Sequence, residues 1–229
     1  DLKAGKVRSL TEQEDYCLLA VAITDTSEAE FAPWFEFSSD GKRILCRIGV
    51  EGEMRIASIP VAGGRLEFCT SDQPDCAPGN VSSGDGRLAL TVGGSTTLPE
   101  IAVARCRRHD LDVRQLSDLN GPLLQQLELS TPKSHWIKAA DGHRSQAWVM
   151  KPPGARAGKK YPAVLQIHGG PHAQYGLGFF HEFQVLAAAG YVVVFSNPRG
   201  SKGYGRDHCA AIQGNWGSTD WTDIQGVTR

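Results

Sequence analysis

The stretch Ala163-Val-Leu-Gln-Ile-His-Gly-Gly-Pro-His172 decides the fold of the second half of the chain. Its first five residues form an apolar run of the kind found in a strand that is covered on both faces. Helical spacing follows over residues 179–189 and ends at Gly190, and Tyr191-Val-Val-Val-Phe-Ser196 is a second apolar run. A strand, a helix and a strand at this spacing predict a right-handed βαβ unit in a parallel sheet.

The sequence on either side of this unit extends the same α/β pattern. Residues 135–140 and 145–150 alternate around an Asp-Gly turn and predict a hairpin, and residues 220–229 predict the start of a helix. A glycine-rich loop, Asn197–Gly205, follows the second apolar strand. Ligands bind parallel sheets at the carboxyl ends of the strands, where we expect this loop and the one after Ile167 to lie.

The first half predicts repeated small β-units. Short alternating runs bounded by turn residues dominate residues 1–116, without helical spacing. Asp40-Gly41 and Asp85-Gly86 lie in similar surroundings and are offset by 45 residues. A period of 40–50 residues with four strands indicates the blades of a β-propeller, and residues 2–11 resemble the last hairpin of a preceding blade. The alternative is an unrelated β-sandwich with two similar turns.

Charge supports a division at midchain. Residues 1–118 carry 13 basic and 19 acidic side chains, whereas residues 119–229 carry 11 and 6. We therefore predict two regions, 1–118 and 119–229. The net charge of −1 gives no reason to expect nucleic acid as a partner, and no apolar run approaches the roughly 20 residues of a membrane helix.

Several clusters of residues are candidate sites. None of the six cysteines forms a CxxC pair, so we expect scattered reduced thiols, with a Cys69–Cys76 disulfide as the alternative. A metal site on His168, His172 and His181 is not expected, because Pro171 interrupts the chain and no carboxylate is suitably spaced. For Arg199 a structural salt bridge is favoured over a catalytic role.

The His168-Gly-Gly sequence has a chemical interpretation. Glycines directly after a buried strand allow backbone N–H groups to turn toward an anion, as in the oxyanion hole of α/β-hydrolases. The alternative is a tight turn without a catalytic part. The loop alone does not decide between them.

Longer motifs carry a family resemblance. Four motifs occur in the same order as in a known family: residues 161–172, 183–191, 197–205 and Gly214-Asn-Trp-Gly217. They resemble the prolyl oligopeptidase family of serine peptidases, and within it the acylaminoacyl-peptidase and dipeptidyl-peptidase branch. The resemblance implies the last blades of a β-propeller over residues 1–118. It implies the N-terminal portion of an α/β-hydrolase domain over 119–229.

The resemblance also implies residue roles. Gly170 would donate its backbone N–H to the oxyanion, and His168 holds the position of an oxyanion-binding side chain in other branches. No Gly-x-Ser-x-Gly sequence is present, so we expect the Ser, Asp and His of the triad downstream of Arg229. The chain would then be an excerpt that is inactive and folds poorly alone.

The expected function is hydrolysis of short peptides by Ser–His–Asp acyl transfer, without cofactor or metal. A non-catalytic propeller-type binding module and an esterase are the alternatives. Exopeptidase and acyl-peptide hydrolysis are not distinguished, and homo-oligomerisation is left open. A cytoplasmic location is expected, with a periplasmic or secreted one as the alternative.

Overall fold

The computed structural model describes residues 5, 7–19, 22–27, 32–70, 74–107 and 110–229. Strands of the first half are β1 (Ala22–Ile23), β2 (Phe35–Phe37), β3 (Arg43–Val50), β4 (Glu53–Pro60), β5 (Glu67–Phe68), β6 (Asp75–Val81), β7 (Arg87–Gly94), β8 (Thr97–Arg107) and β9 (Asp110–Gln115). The hairpin expected over residues 2–11 lies partly outside the described residues, and residues 7–11 contain no strand.

Eight of these strands form two antiparallel units of four strands. The first unit contains β2, β3, β4 and β5, and the second contains β6, β7, β8 and β9. Between the units there is one parallel pair, Met54 with Asp75, because β5 occupies the rest of that edge of β4. Among the described residues the sheet is open. Each unit therefore has the four-stranded form of a propeller blade.

The repeated Asp-Gly pair lies at the same hairpin position in both units. Gly41 and Gly86 each have φ near +65°, and each precedes a long strand, β3 or β7. Glycine adopts this backbone conformation without steric cost. Both turns therefore contain glycine, although the strands beside them differ in sequence. The sequence-based offset of 45 residues thus corresponds to one structural unit.

One apolar core lies between the two units. Leu45 and Ile56 of the first unit pack with Leu88 and Leu90 of the second. Cys69 and Cys76 belong to the same core and are not joined by a disulfide, so the alternative of a disulfide between them is not observed. Burial raises the pKa of the Cys76 thiol to about 12, which keeps it protonated at neutral pH.

A short connection links the two halves. Its helix α1 (Gly121–Leu124) was not predicted from the sequence. The Glu100 carboxylate accepts hydrogen bonds from the backbone N–H groups of Leu119 and Asn120, at 3.0 and 2.8 Å. Hydrogen bonding, chiefly from the Ser117 hydroxyl, lowers the pKa of Glu100 to about 2. The connection is thereby fixed to strand β8.

The second half is built on a four-stranded mixed sheet. Its elements are β10 (Lys133–Lys138), β11 (Arg144–Met150), β12 (Ala163–Gln166), β13 (Gln174–Tyr175), α2 (His181–Ala188), β14 (Val192–Asn197), α3 (Arg206–Ala210) and α4 (Thr219–Val227). The sheet order is β10-β11-β14-β12, and β12 pairs with β14 in parallel. The predicted strand–helix–strand unit and the predicted hairpin of β10 and β11 are therefore present. No described helix is long and apolar enough to cross a membrane.

Strand β12 differs from its prediction in burial. We expected a strand covered on both faces, but its residues are exposed or half-buried and the adjacent Ile167 is 49% exposed. The reason is position, because β12 is the edge of the described sheet. Strand β14, which lies between β11 and β12 in the sheet, is largely buried, as was predicted for both β12 and β14.

The core of the second half packs against β1. Trp148 and Phe195 stack at a centroid distance of 5.2 Å, and Tyr175 and Phe183 complete a buried aromatic cluster. Ile23 of β1 packs on this cluster, and β1 pairs in parallel with β13. A strand from the first half of the sequence is therefore part of the second structural region.

Candidate functional site

Two loops meet at the carboxyl ends of β12 and β14. The first, residues 168–173, follows β12, and the second, residues 198–205, follows β14. The Lys202 N–H donates to the Ala173 carbonyl at 2.9 Å, and His172 Nδ1 lies 2.9 Å from the Gly200 carbonyl oxygen. The expected meeting of the two glycine-rich loops is therefore observed.

Gly170 has a conformation that requires glycine. Its φ is +132°, and a Cβ atom there would lie 3.1 Å from the His172 nitrogen and 3.3 Å from the Ala173 nitrogen. At Gly169, by contrast, an added Cβ would meet nothing within 4 Å. Only the second glycine of the motif is thus required by local geometry.

The backbone N–H of Gly170 is available to a ligand. Within the described part of the chain, the hydrogen bonds of this loop leave that N–H without an acceptor. Gly170 is also exposed. An exposed N–H held on a conformationally restricted glycine is suited to bind a negatively charged oxygen.

His168 is turned toward protein atoms. Its Nε2 lies 2.9 Å from Ser201 Oγ, and its Nδ1 lies 2.8 Å from the Gly169 carbonyl oxygen. Burial lowers the pKa of His168, against an opposing contribution from the Gly169 hydrogen bond. The imidazole is therefore neutral at pH 7; its Nε2 connects the two loops, and its Nδ1 contacts its own loop.

Behind His168 lies a network that sequence reasoning did not identify. The His168 ring meets Tyr175 edge-on at 5.2 Å. The fully buried Asn197 accepts from the Tyr175 N–H at 2.8 Å and donates to the Tyr175 carbonyl at 2.9 Å. Asn197 also donates to the Tyr204 hydroxyl, which donates to Gln146 Oε1 at 2.7 Å. The last residue of β14 thus holds the segment that follows the first loop.

Arg199 forms the predicted structural salt bridge. Its guanidinium donates to both carboxylate oxygens of the buried Asp223 and to Asp141 Oδ2 at 2.6 Å. The hydrogen bond from Arg199 is the main reason why the pKa of Asp141 is lowered. All of the donors described for Arg199 face α4 and the β10–β11 turn. This arrangement connects helix α4 to the sheet.

The three histidines of the motif region have different partners. His172 contacts Cys209 Sγ at 3.1 Å as well as Gly200, and His181 is exposed at the start of α2. No cluster of three or more potential metal ligands occurs in the described ranges.

Comparisons with known proteins agree with the motif series. Residues 177–229 match the model of the prolyl oligopeptidase family. An uncharacterised peptidase of Bacillus subtilis, YuxL, is 42% identical over 111 residues, covering 48% of this chain and 17% of its own. Dipeptidyl-peptidase 5 of Porphyromonas gingivalis is 27% identical over 191 residues, covering 82% of this chain and 27% of its own.

Solved structures share the fold over nearly the whole chain. The acylaminoacyl peptidase of Pyrococcus horikoshii superposes with a TM-score of 0.75 and 23% identity, covering 98% of this chain and 32% of the other. A puromycin hydrolase superposes with a TM-score of 0.74 and 20% identity, covering 99% and 33%. The chain therefore spans a third or less of the length of each of these relatives.

Sequence matches and fold together show that the chain is similar to peptidases, and residues 177–229 match the prolyl oligopeptidase family.

Proposed function

We propose that this chain is part of a serine peptidase that hydrolyses peptide bonds of short peptides. Residues 1–118 form propeller blades, and residues 119–229 form the N-terminal portion of an α/β-hydrolase domain. The support is the pair of four-stranded units followed by a strand–helix–strand unit, together with peptidases among the relatives.

Gly170 is the oxyanion donor in this proposal. During acyl transfer the carbonyl oxygen of the substrate gains negative charge, and a fixed N–H donor lowers the energy of that state. The observation that carries the assignment is the free, exposed Gly170 N–H at the carboxyl end of β12. Because the nitrogens of His168 face Gly169 and Ser201, His168 shapes the loop and leaves the donor role to the backbone.

The nucleophile is assigned to residues downstream of Arg229. No Gly-x-Ser-x-Gly sequence occurs among the 229 residues, and the relatives are three to six times longer than the matched part. In this scheme the serine attacks the peptide carbonyl, a histidine takes its proton and returns it to the leaving amine, and an aspartate orients the histidine. The chain by itself has the anion-binding loop and no triad.

Active-site labelling tests this proposal. A fluorophosphonate reacts with an activated serine, so the full-length protein should gain one label on a serine downstream of Arg229 and lose turnover of aminoacyl or acylaminoacyl chromogenic substrates. The 229-residue chain is the control and should neither label nor turn over. Absence of labelling and turnover in the full-length protein would favour a non-catalytic binding module.

A further inference from the structure

The turn between β3 and β4 reaches from the first half of the chain into the second. At this turn Glu51 and Gly52 both have positive φ, +49° and +79°, which is the form of a tight hairpin turn. The Glu51 N–H donates to the Gly203 carbonyl at 3.0 Å, and the Gly52 carbonyl accepts from the Leu177 N–H at 2.8 Å. The turn therefore contacts the second loop of the site and the segment that follows the first loop.

Gln174 makes the third of these contacts. The Gly52 N–H donates to Gln174 Oε1 at 3.2 Å, and Gln174 Nε2 lies 3.6 Å from Met54 Sδ. Gln174 is fully buried although it is polar. A buried amide is stable only when its polar atoms have partners, so Gly52 and Met54 fix where Gln174 can lie.

The fit around this contact leaves little freedom. A Cβ atom on Gly52 would lie 2.7 Å from the Trp148 ring, and one on Gly176 would lie 2.5 Å from the Gly52 carbonyl oxygen. On Gly203 it would lie 2.2 Å from Gln174 Oε1. Three glycines therefore allow the turn, the segment after the first loop and the second loop to approach one another closely.

Gln174 is four residues after Gly170 and opens β13. Its neighbour Tyr175 is held by Asn197 on one side and by β1 on the other. The loop that carries Gly170 is thus attached upstream to β12 and downstream to a segment whose position depends on Gly52. A small displacement of a catalytic donor is enough to slow a reaction, because its stabilising effect depends on its direction and distance.

We propose that the β3–β4 turn is a positioning element for the loop of His168–Pro171 and that Gln174 transmits its position. Glu51 and Gly52 contact no reacting group in this scheme. The catalytic consequence rests on the proposed function, whereas the mechanical coupling between Gly52 and the loop does not.

Replacement of Gln174 tests the coupling. The Gln174→Met variant keeps the length of the side chain and removes the acceptor of the Gly52 N–H. Gln184→Met is the matched control, because Gln184 is similarly buried and also connects the halves, by donating to the Ser95 carbonyl, but lies on helix α2. Hydrogen exchange of the hydrogen-bonded amides of Ala173, Tyr175 and Lys202 is measured in the full-length protein, beside kcat and KM for a chromogenic peptide.

We expect Gln174→Met to speed exchange of these amides about tenfold or more, and to lower kcat about tenfold with KM within twofold. Gln184→Met should leave the exchange rates and kcat unchanged, although its thermal midpoint should be similar to that of Gln174→Met. If Gln174→Met does not fold, Met54→Leu removes only the sulfur acceptor of Gln174 and should speed the same exchange about two- to threefold. Unchanged exchange in the variant that folds overturns the coupling.

The two measurements separate the two proposals. Faster exchange in a protein whose wild type has no peptidase activity would support the coupling and contradict the proposed function. If the wild type is active and Gln174→Met has the same exchange rates and kcat as Gln184→Met, the result would support the function and contradict the coupling.

Discussion

The carboxylate of Asp25 caps the N-terminus of the helix that begins at His181. Its two oxygens accept from the N–H groups of His181 and Glu182, each at 2.7 Å. Helix α2 starts after Phe180, which supplies no side-chain cap. A residue 156 positions upstream therefore satisfies donors that a local Ser, Thr, Asp or Asn usually satisfies.

Removal of this cap should loosen the start of α2. Asp25→Ala leaves two N–H groups without their carboxylate and removes a negative charge from the positive end of the helix. We expect a loss of about 1 kcal/mol, seen as roughly fivefold faster hydrogen exchange in the first turn of α2. Glu128→Ala removes an exposed charge elsewhere and serves as the control. Equal exchange in the two variants would contradict the capping role.

The Arg199 network should lose much more stability when Arg199 is removed than when Asp141 is removed. The Asp223 side chain is fully buried, whereas the Asp141 side chain is 44% exposed. Arg199→Ala leaves the Asp223 carboxylate buried and unpaired, at a cost of about 3–5 kcal/mol, and Asp141→Ala removes an exposed pair worth at most about 1 kcal/mol.

Urea denaturation monitored by tryptophan fluorescence measures this difference. Similar midpoints for Arg199→Ala and Asp141→Ala would show that the pair with Asp223 contributes little to stability.

Protonation of His208 should destabilise the second half at acidic pH. His208 Nε2 lies 3.0 Å from the Pro198 carbonyl oxygen and its Nδ1 faces His143 Nε2 at 3.2 Å. Burial is the largest of the causes that lower the pKa of His208 to about 4, whereas an unfolded histidine titrates near 6.5. The unfolded state therefore binds the proton first, and stability that is complete above pH 6.5 falls as the pH decreases toward 4.

The slope of this loss is at most about 1.4 kcal/mol per pH unit from one group. Denaturation curves between pH 4 and 7 measure it, and His208→Phe should flatten the dependence because the titrating group is gone. His135→Phe changes an exposed histidine and should leave the dependence as in the wild type. A steep dependence retained in His208→Phe would assign the effect to other groups.

Local patterns predicted much of the fold. The apolar run of β14, the helical spacing before Gly190 and the two Asp-Gly turns are each decided within about ten residues, and all of them are present. Strand β6 contains Pro78, a residue atypical of strands, and local spacing does not indicate this strand. Pairing of β1 with β13 joins residues some 150 positions apart, and no local spacing indicates it.

The candidate site likewise has features that the local sequence predicts and features that depend on distant residues. The glycines of the His168 loop are visible in the sequence, and one of them, Gly170, has a positive φ that favours glycine. No role was assigned to Gln174 and Asn197, because the sequence does not show whether the amide side chain of a Gln or Asn is buried. Their function depends on which backbone groups the fold brings to them, namely Gly52 for Gln174 and Tyr175 for Asn197.

The central claim is that the Gly170 N–H binds the oxyanion of the reaction, and a comparison of two adjacent glycines tests it most directly. Gly170→Ala introduces a Cβ at φ +132° against the nitrogens of His172 and Ala173, whereas Gly169→Ala meets open space. In the full-length protein we expect kcat to fall about 10²–10³-fold in Gly170→Ala with little change in KM, and to stay within about threefold in Gly169→Ala. Equal kcat values for the two folded variants would contradict the claim.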